Sequence, residues 1–195
     1  MKKLLISVSL ASSALVPAAV QAQALPPAVV AVVDVDRVRT TCTACRTAIA
    51  ALQAQQTAAD SRLKAQAGPL QAEQQSIQAA VNALNGKPAD AALQARAKAW
   101  QAKADQLQQD VERARQQLGV NQQYILKQIE DKLNPIFAQV MQRRGANVLV
   151  DQNATLATAA SVDVTNDALT ALNAALTTIQ TVAPAPARPN QPQGR

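Results

Sequence analysis

The chain has 195 residues, 48% of them hydrophobic but only 2% aromatic, no histidine, and a formal net charge of +6. So few aromatics argue against a large globular core, and the missing imidazole removes the commonest general base near neutral pH and the commonest metal ligand, which lowers the expectation of catalysis. The apolar positions are periodic, so composition does not make the chain disordered, and the fold class they predict is mainly α with a small β base (α+β).

Residues 1–24 read as a secretory signal peptide: Lys2 and Lys3, an apolar run from Leu4 to Val16, then small residues ending in Val20-Gln21-Ala22 and Ala22-Gln23-Ala24. Cleavage after Ala22 or Ala24 fits. The run is too short for a spanning helix, which needs about 20 residues, and no cysteine near the cleavage point suggests a lipid anchor. An exported, soluble mature chain is expected, with 17 Lys+Arg against 13 Asp+Glu once Lys2 and Lys3 are removed. That modest excess fits attraction to acidic partners or anionic lipid, and equally fits a solvated helix surface, the plainer reading.

The run Ala28-Val29-Val30-Ala31-Val32-Val33-Asp34-Val35 suits a buried strand. Asp34 or Asp36 stands where a helix begins, since a carboxylate is favoured at the positive end of a helix. Cys42 and Cys45 follow as C-x-x-C. A redox pair is one reading, but no βαβ unit of the thioredoxin kind surrounds it. A local disulfide or two small semi-buried residues is the favoured alternative. Two cysteines without histidine do not make a four-ligand zinc site.

Residues 46–133 read as a long antiparallel helical hairpin, a coiled-coil tentacle. Its second arm carries Leu93, Ala97, Trp100, Ala104, Leu107, Val111, Ala114, Leu118 and Ile125 in alternating steps of three and four, with one beat missing at Asn121. The first arm is thinner, with Leu63, Leu70, Ile77 and Leu84 seven apart and mostly Ala or Gln between them. Between the arms, Asn85-Gly86-Lys87-Pro88 removes helix propensity and turns the chain. Helices over Thr47 to Ala83 and Asp90 to Leu133 would be roughly 55 and 65 Å long at about 1.5 Å per residue. Gly68-Pro69 interrupts the first arm without changing its register and reads as a kink or hinge, with two shorter helices as the alternative.

Ile125, Ile129, Leu133, Ile136 and Val140 extend an amphipathic helix through Asn134-Pro135 to a stop at Arg143-Arg144-Gly145. A strand is expected at Ala146 to Asp151, a second and weaker one at Ala154 to Thr158, and a helix with Leu169, Leu172, Leu176 and Ile179 on one face, N-capped by Thr165. Residues 25–45 and 134–182 thus form a β-containing body, and 183–195 read as a disordered Pro-rich tail. About 60 residues outside the hairpin with few large apolar side chains make a marginal core. Association of several copies would bury the leftover Val and Leu surface.

Four stretches in order resemble the Skp/OmpH family of periplasmic chaperones: the leader, the strand Val29 to Val35 running into Asp36-Arg37-Val38, the segment Gly145 to Asn153, and Val162-Asp163-Val164-Thr165 with the helix after it. The resemblance implies a homotrimer whose shared β base, a trimerisation body, carries three tentacles around a cavity. It also implies an ATP-independent holdase for unfolded outer-membrane proteins, located in the periplasm and needing no cofactor. The pliable seam, the Gly68-Pro69 hinge and the lack of nucleotide motifs fit that picture. From Arg46 to Lys103 seven basic residues face three acidic ones, net +4. Lys87, Arg96 and Lys98 are therefore candidates for steering acidic clients or anionic lipid towards the arms.

Two other classes compete with the holdase. One is an envelope scaffold or adaptor whose hairpin docks on another coiled coil, which calls for a stronger second seam than Gln and Ala provide. The other is a thiol oxidoreductase using Cys42 and Cys45. Nucleic-acid binding is not expected, because the aromatic platforms for single strands are absent and the chain is exported.

Overall fold

A computed structural model describes residues 26–185. The expected signal peptide and residues 186–195 of the expected tail lie outside these. β1 (Val30–Val33) pairs in parallel with β2 (Val148–Asp151), Val30 opposite Val148 and Val33 opposite Asp151. Parallel neighbours need a crossover, usually one helix. Here the crossover is the whole helical hairpin.

Asp34 ends β1 and starts α1 (Val35–Thr41): its carboxylate accepts from the Arg37 N–H at 2.8 Å, satisfying one of the free donors of the first turn. Val35, expected in the strand, is already helical. At Cys42 the backbone opens to φ −58°, ψ 147°, which separates α1 from α2 (Thr43–Ala83, 41 residues). Leu84, Asn85 and Gly86 then turn the chain, the last two with φ of 48° and 84°. The Asp90 carboxylate caps α3 (Ala91–Arg144, 54 residues), accepting from the Leu93 N–H at 2.8 Å. At 1.5 Å per residue the arms span about 60 and 80 Å.

α2 runs unbroken through Gly68-Pro69 and α3 through Pro135, so the alternative of two shorter first-arm helices does not occur. α3 ends at Gly145, whose φ of 64° is the left-handed cap anticipated after Arg143-Arg144. One helix thus serves as both the second arm and the spine of the body.

The core lies at the hairpin root. Ile125, Ile129, Leu133, Ile136 and Val140, one stripe of α3, are buried in one cluster with Val33, Val38, Cys45, Ala48, Ala168 and Leu172. Each buried aliphatic side chain of this size is worth about 1.5–3 kcal/mol.

Three expectations for the closing segment are corrected. Ala154 to Thr158 is not a strand: Asp151 accepts from the Asn153 N–H at 3.0 Å and turns the chain into a 3-10 turn, Gln152–Ala154, away from any sheet edge. Leu156 beyond it is fully exposed. The place beside β1 goes to Asp163, bridged to Val32, with the Val164 N–H donating to the Val32 carbonyl at 2.8 Å. Second, Thr165 is not the N-cap of α4 (Thr165–Ala175) but its first residue, because its hydroxyl is taken by the Asp34 N–H at 2.9 Å; the Asp163 carboxylate accepts the Thr165 N–H instead, at 2.8 Å. Third, α4 stops at Ala175 and does not reach Ile179. Leu176 is extended (φ −127°, ψ 91°), and the β-branched Thr177 and Thr178 after it are poor helix formers.

Candidate functional site

In the shaft the arms touch through a half-buried seam. Leu93, Ala97, Trp100, Ala104, Leu107, Val111, Ala114 and Leu118 of α3 are half-buried, as are Leu52, Ala59, Leu63, Leu70 and Ile77 of α2 and Leu84 at its C-terminal cap. Both seams remain partly solvated because Ala fills so many positions. At Gly68-Pro69 the missing Pro69 N–H removes the donor for the Ala65 carbonyl. Beside it a pocket of about 670 Å³ opens between Pro69, Leu70, Glu73, Arg96, Trp100 and Leu107. Across this opening the Trp100 indole N–H donates to the Leu70 carbonyl at 2.8 Å. Arg96 donates to Glu73 at 3.0 and 3.1 Å and to Ser76 at 3.0 Å.

The three candidate steering residues are therefore unlike one another. Arg96 is spent on an interarm ion pair, while Lys87 at the turn and Lys98 on the outer face of α3 are exposed and form no ion pair among the described residues. Further along α3, Arg113 and Gln106 bond to Asp110 and hold its carboxyl below the usual carboxylate range.

At the root the missing beat at Asn121 has a structural role. Asn121 is only 2% exposed. Its carboxamide donates to Gln55 Oε1 at 2.8 Å and accepts from Gln117 Nε2 at 2.8 Å and from the Ala183 N–H at 3.0 Å. Gln55 also donates to the Thr181 carbonyl at 3.2 Å, and Gln128 pairs with both backbone groups of Gln180. Residues 176–183 thus run as a strap along the arms, a feature that sequence reasoning missed. Its signal was a pair of amides, Gln55 and Asn121, at seam positions where heptads want apolar groups. Ala183, assigned by sequence to the tail, is tied down here.

Cys42 and Cys45 are joined by a disulfide at the α1–α2 junction, both completely buried in the core. The Cys45 N–H also donates to Cys42 Sγ at 3.0 Å. The pair lies far along the chain from the Trp100 pocket and makes no common site with it. Among the described residues no group of three His, Cys, Asp or Glu side chains is placed to hold a metal, and no helix is long and apolar enough to cross a membrane.

Among curated proteins the sequence has no match. Among solved structures it is similar to an OmpH-like protein of Caulobacter crescentus CB15, with a TM-score of 0.67 and 23% identity over 80% of this chain and 90% of that one. At that identity the likeness shows a shared fold: a helical hairpin on a small strand-containing body. Residues 29–172 match the family model for outer membrane protein (OmpH-like), from β1 through the hairpin to Leu172 in α4. With most of its length matched in this way, the chain belongs to the OmpH-like family.

Proposed function

We propose that the protein is an ATP-independent periplasmic holdase that binds unfolded outer-membrane proteins between its helical arms as a homotrimer. The observation that carries this reading is the pairing of two long, thinly packed arms with a small, firmly packed body in an OmpH-like fold. The Caulobacter relative of that fold is described as a candidate outer membrane chaperone. Arms joined by alanine-rich seams deform at little cost, so a cavity between several of them adapts to clients without fuel.

The body supports self-association. Val29, Val30 and Val148 are exposed beside one another at the sheet, with Val120 and Leu126 exposed on α3 near the root. The outer edge of β2 pairs with no strand among the described residues, and such an edge favours cover. Three copies sharing this surface would give three arms around one space. Lys87 and Lys98 would add long-range attraction for acidic clients and for anionic lipid at the membrane surface.

The buried disulfide argues for a structural role of Cys42 and Cys45, since reactive cysteines are partly exposed. The test is suppression of aggregation of an unfolded outer-membrane barrel protein diluted from denaturant, without nucleotide. Suppression at one oligomer per client supports the proposal, and unchanged aggregation at excess protein rejects it.

A further inference from the structure

The strap is bound through its backbone. Gln128 Nε2 donates to the Gln180 carbonyl at 2.8 Å while Gln128 Oε1 accepts from the Gln180 N–H at 2.9 Å, so one side-chain amide reads one residue's backbone from both sides. Gln128 is itself oriented by donating to the Tyr124 carbonyl at 3.1 Å. Gln55 donates to the Thr181 carbonyl and, at 3.3 Å, to its hydroxyl, and Asn121 accepts from the Ala183 N–H. All but one of these contacts with the strap go to groups that every peptide possesses.

The strap's side chains alternate as in a strand. Ile179, Thr181 and Ala183 are half-buried, Ile179 against the core at the hairpin root, whereas Gln180 and Val182 are exposed. A surface that pairs with main chain and offers shallow room to every second side chain is the geometry of extended-peptide recognition. The segment lies beyond residues 29–172, so the family match does not cover it.

Taking the holdase reading as the starting point, we infer that the groove lined by Gln55, Asn121 and Gln128 is a peptide-binding site whose own residues 179–183 are an exchangeable occupant. An extended segment of an unfolded polypeptide, with small or branched apolar residues at alternate positions, displaces the strap. The tethered strap keeps the groove filled until a client supplies a better or more concentrated strand. Its departure exposes Gln128 and Asn121 to the client backbone in the same register.

The test uses the chain ended after Thr178, which keeps the buried Leu172 and Leu176 of the core, beside the full chain. The probe is a fluorescent peptide with the sequence of residues 178–185. The truncated chain is expected to bind it at least about tenfold more tightly than the full chain, because apparent affinity scales with the open fraction of sites. Peptide methylated on the nitrogen matching Gln180 should lose binding, as should Gln128→Ala in the truncated chain. Unfolded barrel protein should displace the unmodified peptide. Should truncation disturb folding, Gln180→Pro in the full chain removes the strap's own N–H, leaves the groove intact and should raise peptide affinity.

A folded truncated chain that ignores the peptide, or holds it against excess unfolded barrel protein, overturns the inference and makes the strap a fixed staple. Aggregation suppression by the full chain is read separately. If it is absent while the peptide still binds and exchanges, the holdase reading fails and the peptide site stands; if it is present without peptide binding, the site fails alone.

Discussion

Trp100 and Leu70 are tied across the hairpin by a 2.8 Å bond from the indole N–H to the backbone carbonyl, one residue past Pro69. A proline that removes a bond from α2 therefore lies beside one of the bonds that hold α2 to α3. We propose that together they make the middle of the shaft the point where the arm bends while the seam above and below stays in register.

Trp100→Phe keeps a ring in the seam and removes the donor. A cost of about 0.5–1.5 kcal/mol is expected from the lost hydrogen bond, with faster amide exchange around residues 65–75 and little change at the root. Replacing Gly68 and Pro69 together by Ala should stiffen the arm, since these residues disfavour helix by about 1 and 3 kcal/mol. Small-angle scattering should then show straighter arms and client assays a narrower range of sizes held. Straight arms with an unchanged client range would show that Gly68-Pro69 does not act as a hinge.

Asn121 predicts a separate effect at the root. Asn121→Leu completes the heptad but deprives Gln55 and the Ala183 N–H of their partners. Each buried polar group left unpaired costs about 1–3 kcal/mol, which the added apolar contact offsets in part. The Ala183 and Gln180 amides should lose exchange protection in this variant while amides of α4 keep theirs.

These two features also mark the limit of what the sequence made legible. Helices, the turn at Asn85-Gly86, the Gly145 stop and the buried stripe from Ile125 to Val140 follow from periodicity and local propensity, and the structure has them. A local capping rule puts Thr165 at the N-cap, but its hydroxyl accepts from the Asp34 N–H, 131 residues away, a competition that such a rule does not see. The strap is hidden for the same reason: Leu176 and Ile179 fit a helical face, and the distant amides of α2 and α3 hold out straight the chain that Thr177 and Thr178 have taken out of the helix. Arg96 reads as free charge in the sequence, whereas in the fold α2 brings Glu73 beside it.

The body should weaken in acid. The Thr165 hydroxyl and N–H, and then Arg37, hold the Asp163 carboxyl below its ordinary value of 3.8. A depressed carboxylate stabilises the fold above its unfolded value and ceases to do so as pH falls through the folded one. Stability of the β1–α4 junction is therefore expected to fall below about pH 4, and Asp163→Asn should flatten that part of the curve. An unchanged acid limb in chemical denaturation would show that Asp163 does not contribute.

Charge reversal separates the three basic residues. Lys87→Glu with Lys98→Glu should slow client capture several-fold at low salt, with the difference shrinking near 0.15 M where the screening length is about 8 Å. Arg96→Gln should alter capture less, and cost at most about 1 kcal/mol, because its exposed pair with Glu73 is already neutralised. Stopped-flow capture across a salt series distinguishes them.

The disulfide closes a very short loop, so its removal in Cys42→Ala, Cys45→Ala is expected to cost roughly 2 kcal/mol. Holdase activity should persist below the melting temperature of the variant. Loss of activity in a folded variant would return the thiols to consideration.

If a small oligomer of these hairpins encloses an unfolded client, the mass and shape of the protein in solution must show it. Light scattering with small-angle scattering should give a mass near three chains, an elongated hollow profile, and a stoichiometric complex when an unfolded outer-membrane barrel protein is added. A monomer or dimer whose mass and profile do not change with client would contradict it.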